Sequence, residues 1–206
     1  MTMSIEATER AGVTAHAGLD GIVAAATSLS EVDGEAGELV IAGFPLEELA
    51  PNATFEETVY LLWNGDLPNA EQLATFHSSL ATHRELPGTT LTLLREAAGQ
   101  AVPPMNVLRM ASATLDLDLD AGSVRDMREQ ATAILARIPT IVAAYDRLLN
   151  GQEPVEPNAK LGHAASFLHM LTGERSSEAR VRALETYLNT VVDHGLNAST
   201  FAARVI

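Results

Sequence analysis

Apolar residues recur every three or four positions along most of the chain, which is the spacing of amphipathic helices. A clear case begins after Thr54, which forms a capping-box pattern with Glu57 at a helix N-terminus. Gly65 then supplies a stop signal. The apolar positions between these signals are Phe55, Val59 and Leu62. The pattern therefore predicts a helix with defined ends in this part of the chain.

The same spacing predicts helices through the rest of the chain. One opens at Pro68 and Asn69, with Gln72 at the capping-box position, and continues until Pro87. Pro139 falls inside the longest predicted helix. Because proline has no backbone N–H and its ring crowds the preceding turn, we expect a kink there. The further predicted helices cover about 90–99, 104–117, 123–150, 159–171 and 178–194, and a last one begins at about Asn197.

Two short stretches near the N-terminus carry the signals of strands. Thr27–Val32 and Glu38–Ala42 flank a turn rich in Gly, Asp and Glu, which predicts a β-hairpin and no other sheet. Before them, residues 1–17 contain no continuous apolar segment and are interpreted as a mobile tail. The predicted fold class is mainly α and multi-helical, with a small N-terminal β-hairpin.

The chain is strongly acidic, with 13 basic and 27 acidic side chains and a formal charge of −14. This charge repels nucleic acid phosphates and anionic membrane surfaces, so neither is expected as a partner. No window approaches the roughly twenty apolar residues of a membrane span, and the N-terminal stretch does not resemble a secretory signal. Because the chain has no cysteine, it needs no oxidising compartment, and a cytoplasmic location is expected.

The histidines are the candidate residues for metal or ligand binding. None of the six has the spacing to a second histidine and a carboxylate that zinc helices use, so no metal site is expected. His194 ends a predicted helix and is followed by Gly195 and by Asn197, which can start the next helix. Such a junction suits a small anionic ligand. The alternative is local: His194 interacts with the negative end of its helix, and Asn197 is an N-cap.

Three segments near the C-terminus share their order and spacing with a known family. They are Ile138–Ala144, His169–Glu174 and Asp193–Val205, the last reading DHGLNASTFAARV. This succession resembles the citrate synthases, whose substrate-binding histidine corresponds to His194. Upstream segments that continue the resemblance are 18–22, 32–35, 47–50, 60–63 and 65–68. It therefore covers nearly the whole chain after about residue 17.

The resemblance implies that residues 18–206 form part of the large helical domain of a citrate synthase, cut before the smaller domain. That family condenses acetyl-CoA with oxaloacetate to give citrate and CoA, and related 2-methylcitrate synthases use propionyl-CoA. In the family, the aspartate and two histidines that carry the chemistry lie beyond the matching segments. The resemblance thus implies no catalytic residue here, oxaloacetate binding by His194 and Asn197, acetyl-CoA as cosubstrate and no bound cofactor.

Three interpretations of function remain open at this point. The first is the N-terminal half of a citrate synthase, inactive alone but able to form a homodimer through the helices at about 104–117, 123–150, 178–194 and from 198 onward. The second is a noncatalytic helical partner or regulatory subunit of a split or degenerate citrate synthase, which pairs with a separate C-terminal chain. The third is a fragment of a 2-methylcitrate synthase.

Overall fold

The computed structural model describes residues 26–115, 126–195 and 198–205. In these ranges the protein is mainly helical with one small sheet, so the predicted fold class is confirmed. The predicted tail, residues 1–17, and the predicted helix start at Ser123 lie outside the described residues. None of the helices in the described ranges is both long enough and apolar enough to cross a membrane.

The sheet is antiparallel and small. Its strands are β1 (Ser30–Asp33), β2 (Glu38–Ile41) and β3 (Phe44–Pro45). The first two form the predicted hairpin, with Val32 paired to Leu39. The carboxylate of Asp33 holds their turn, because it accepts bonds from two backbone N–H groups of the turn at 2.9 Å. The sequence pattern does not predict β3, since a two-residue strand has no readable period.

Nine helices fill the described ranges. They are α1 (Leu46–Asn52), α2 (Phe55–Asn64), α3 (Ala70–Thr82), α4 (Gly88–Gly99), α5 (Pro104–Ser112), α6 (Met127–Leu149), α7 (His163–Thr172), α8 (Glu178–Thr190) and α9 (Ala198–Val205). The pattern does not predict α1, which is short and contains Pro51. The helix predicted to reach Pro87 ends at Thr82, and the Arg84 side chain that follows lies in the core, where it is 1% exposed.

The helix starts predicted from local signals are confirmed in α2 and α3. The hydroxyl of Thr54 accepts a bond from the backbone N–H of Glu57 at 3.2 Å, and the Glu57 carboxylate accepts one from the Thr54 N–H at 2.7 Å. Asn69 and Gln72 exchange the same two bonds at 2.9 and 2.8 Å. Each pair satisfies N–H groups that a helix N-terminus leaves without an internal partner.

The central element is α6, which contacts α3, α4, α5 and α7. Its buried residues Ile141 and Ala144 join Leu94 from α4 and Val107 from α5 in the main hydrophobic cluster. The helix continues through Pro139. Apart from Tyr145, small and branched aliphatic side chains make up this core, so the helices pack closely around α6.

The start of α7 differs from the prediction. The helix begins at His163 rather than near Ala159. Residues 151–162, before it, form an arm without regular structure. Arg84 holds this arm, since its Nη1 donates to the carbonyl oxygens of Asn158 at 3.0 Å and Leu161 at 2.8 Å. A buried guanidinium far away in the sequence therefore holds the segment that leads into α7.

Candidate functional site

The sequence pattern predicted that His194 ends a helix. In the structure it lies in a loop instead. The last helical residue of α8 is Thr190, and its C-cap is Val191. A tight turn follows the end of the helix. In that turn the carboxylate of Asp193 accepts a bond from the backbone N–H of Gly195 at 3.3 Å, and Gly195 has a φ of 88°. The interpretation of His194 as a partner of the helix end is therefore wrong.

The loop lines a small open pocket with a volume of about 310 Å³. Its lining residues are Thr27, Leu29, Val191, Val192, Asp193, His194, Gly195, Thr200 and Arg204. The imidazole of His194 is exposed, and no group in the described part of the chain hydrogen-bonds to it. The ring therefore keeps its hydrogen-bonding capacity for a ligand in the pocket.

Three parts of the fold meet at this pocket. Val192 packs against the hydrophobic cluster of Ile41, Leu49, Ala53 and Leu61, which anchors the His194 loop to the body of the protein. The segment before β1 forms a second wall, held to the sheet by a bond from the Ala42 N–H to the Leu29 carbonyl at 2.8 Å. Helix α9 forms the third wall. The pocket is thus a product of tertiary structure.

The structure places one of the two predicted site residues in the pocket. His194 lines it, whereas Asn197 lies outside the described residues, and its role stays a prediction. The sequence analysis missed Arg204 and Thr27, which also line the pocket. Thr200 and Arg204 are four residues apart, the spacing at which side chains share a helix face, and this was the available signal for Arg204.

Among the described residues, no group of three His, Asp or Glu side chains has an arrangement that could hold a metal ion. The remaining described histidines lie in other parts of the fold. His163 is buried at 6% exposure and its ring lies 4.9 Å from that of Phe55. His77 shares a 3.0 Å hydrogen bond with the Leu161 carbonyl. These positions indicate structural roles for both residues.

A larger cavity, of about 570 Å³, lies beside α7 and α8. It contains Arg182, but this guanidinium donates to the carbonyl oxygens of Ala50 and Ala53 at the end of α1. Arg182 also pairs with Glu185 at 3.3 Å. Burial raises the pKa of Glu185, and the neighbouring Arg182 opposes that shift. Because Arg182 is engaged with Glu185 and the end of α1, this cavity is a weaker candidate than the His194 pocket.

Comparison with known proteins gives the same family that the sequence segments resemble. The family model described as "Citrate synthase, C-terminal domain" matches residues 18–206. The chain belongs to the citrate synthase family. A citrate synthase from Haloferax volcanii is 43% identical over 194 residues, which cover 91% of this chain and 51% of that protein. A 2-methylcitrate synthase from Mycobacterium tuberculosis is 37% identical over 190 residues, which cover 92% of this chain and 48% of that protein.

Solved structures of the family share this fold. The crystal structure of citrate synthase from Pyrobaculum aerophilum matches with a TM-score of 0.77 and 32% identity, over 99% of this chain and 55% of that one. The chain therefore spans about half the length of the citrate synthases it matches. Its placement as the N-terminal half stays a prediction.

Proposed function

We propose that this chain supplies the oxaloacetate-holding part of a citrate-synthase-type condensing enzyme, with His194 as the contacting residue. The observation that carries the proposal is the exposed imidazole of His194 in a pocket of about 310 Å³. Ligand pockets range from about 300 to 1,000 Å³, so this one suits a small acid rather than a coenzyme. Membership of the citrate synthase family supports the choice of acid.

The chemistry assigned to His194 is binding and polarisation. An imidazole N–H donates a hydrogen bond to a carboxylate or keto oxygen, and a charged ring strengthens that bond. Condensation also needs a base that removes a proton from the acyl methyl group and a group that stabilises the resulting enol. We assign those roles to polypeptide outside residues 1–206, in line with the family resemblance. The chain alone is then expected to bind oxaloacetate without turning it over.

The proposal includes self-association through α5 and α6. An apolar stripe on α6 stays exposed at intervals of seven or eight residues: Met127 81%, Ile134 52%, Val142 40% and Leu149 41%. Met105 on α5, 74% exposed, borders the same surface, and a groove of about 230 Å³ runs between the two helices. A stripe with this period is suited to packing against a helix of a second copy.

The experiment is a calorimetric titration of the purified chain with oxaloacetate, alone and as the His194→Ala variant. His169→Ala, which changes a histidine of α7 outside the pocket, is the matched control. We expect the wild type and the control to bind equally and His194→Ala to bind about tenfold more weakly or not at all. Unchanged binding by His194→Ala would show that this residue does not hold the acid.

A turnover assay with acetyl-CoA and oxaloacetate separates the remaining possibilities. Citrate formation by the purified chain alone would contradict the assignment of the base and the enol-stabilising group to polypeptide outside residues 1–206. Activity gained after mixing with the complementary half of a citrate synthase supports the proposal. A dimer that binds no oxaloacetate and gains no activity instead supports a noncatalytic partner subunit.

A second candidate is 2-methylcitrate synthesis, because relatives with that name are 36 to 37% identical to this chain. The two candidates differ in the acyl donor and not in the acid held by His194. Rates of the complemented enzyme with propionyl-CoA and with acetyl-CoA decide between them.

A further inference from the structure

We propose that Arg204 is the cation that binds a carboxylate of the ligand held by His194, and this inference rests on the proposed function. Both side chains line the same pocket of about 310 Å³. Arg204 lies in the last turn of α9, whereas His194 lies in the loop before that helix. The proposal therefore assigns a ligand contact to a helix that the sequence analysis connected only with dimer formation.

The position of Arg204 on α9 directs it toward the pocket. Thr200 and Arg204 are four residues apart and therefore share one face of the helix, and both line the cavity. Arg204 is exposed, and within the described residues it makes no ion pair or hydrogen bond. Its guanidinium is thus available to a ligand, unlike that of Arg182 in the larger cavity.

The charges around the pocket favour this role. The ionisable lining residues are Asp193, His194 and Arg204. The carboxylate of Asp193 takes part in the turn, where it accepts the bond from the Gly195 N–H. The side chain that can offer a fixed positive charge to an anion is therefore Arg204, because a guanidinium stays protonated at any pH of interest.

The overall charge of the chain makes a local cation at the pocket favourable for binding an anion. A formal charge of −14 repels a dicarboxylate at long range, particularly at low ionic strength. A guanidinium binds a carboxylate through two parallel N–H donors, and this geometry selects a planar anion as well as attracting it. Arg204 would therefore supply both affinity and selectivity for a carboxylic acid.

The competing role for Arg204 is structural, since a basic residue in the last turn stabilises the negative end of a helix. That role would change the stability of the protein without changing its selectivity for a charged ligand. The test therefore needs a measurement of ligand binding at several salt concentrations beside a measurement of stability.

The experiment is a calorimetric titration of the full chain with oxaloacetate, using wild type, Arg204→Gln and Arg204→Lys. Arg180→Gln, which removes an equal charge from an exposed position on α8 outside the pocket, is the matched control. We expect about tenfold weaker binding in Arg204→Gln, an intermediate loss in Arg204→Lys and no change in the control. Added salt should weaken wild-type binding more than that of Arg204→Gln.

The outcomes distinguish this inference from the proposed function. If His194→Ala weakens binding while Arg204→Gln binds like wild type, the role of Arg204 is overturned and that of His194 stands. If Arg204→Gln weakens binding while His194→Ala does not, the assignment of His194 fails instead. Absence of oxaloacetate binding by the folded wild type overturns both. A lower melting temperature of Arg204→Gln with unchanged affinity supports the structural role and contradicts the inference.

Discussion

The buried carboxylate of Glu56 accepts a hydrogen bond from the backbone N–H of His163 at 2.6 Å, across 107 positions of sequence. His163 is the first residue of α7, and the N-cap of that helix is Gly162, which has no side chain to accept such a bond. Glu56, on α2, therefore performs from another helix the task of an N-cap side chain. Its negative charge also complements the positive end of α7.

The first prediction concerns this contact. Glu56→Ala should lower the free energy of unfolding by about 2 to 3 kcal/mol, because it leaves the His163 N–H without an acceptor and the buried Arg84 without its neighbouring carboxylate. Urea denaturation measures the change. Glu71→Ala, at an exposed position in the first turn of α3, is the control. It should lower the free energy of unfolding by well under half as much. Equal losses in the two variants would contradict the capping role.

The second prediction concerns the pH dependence of stability. Burial, and secondarily the charge of Arg84, lowers the pKa of His163 from 6.5 to about 4. The unfolded chain therefore binds more protons than the folded one between these pH values. The stability associated with a neutral His163 is complete above about pH 6.5 and is lost as the pH falls toward 4, by about 3 kcal/mol in total.

The variant that tests this dependence is His163→Phe, which keeps a ring beside Phe55 but cannot be protonated. Urea denaturation at several pH values between 7 and 4 should show a smaller loss of stability in the variant. Glu185, whose pKa is raised by burial, is present in both proteins, so its contribution cancels in the comparison. Parallel pH curves for the two proteins would show that His163 does not carry the effect.

The third prediction concerns the two-residue turn between β2 and β3. Ala42 has a φ of 46° and the next residue, Gly43, has a φ of 90°. A side chain with a Cβ is disfavoured in this left-handed region, whereas glycine adopts it freely. Ala42→Gly should therefore raise the free energy of unfolding by about 0.5 to 1 kcal/mol. Ala74→Gly, in the exposed interior of α3, should lower it by about 1 kcal/mol, and urea denaturation of both checks the signs.

The fourth prediction concerns the exposed stripe on α6. A double substitution, Ile134→Glu and Val142→Glu, should convert dimers to monomers, because it places charges on the apolar surface proposed to pair. Sedimentation velocity measures the mass, and circular dichroism checks that the helices are retained. Val32→Glu, at an exposed apolar position on β1, is the control and should leave the dimer intact. A monomeric wild type at high protein concentration would refute pairing through this stripe.

The sequence determined those helix boundaries that depend on neighbouring residues. Thr54 with Glu57 and Asn69 with Gln72 exchange bonds over three positions, so a short pattern contains both partners. The longest helix, α6, was predicted for the same reason, because apolar residues recur along it at helical spacing. The histidine of the pocket was also found from a short segment and its resemblance to a family.

Tertiary structure decided the features whose partners are distant in the chain. The end of α1 depends on Arg182 and Asn189, which donate to the carbonyl oxygens of Ala50 and Ala53. The start of α7 depends on Glu56 in the same way. The pocket brings residues before β1 together with the loop after α8 and with α9. A hydrogen bond or a shared cavity between distant segments has no local period, so only the folded chain reveals it.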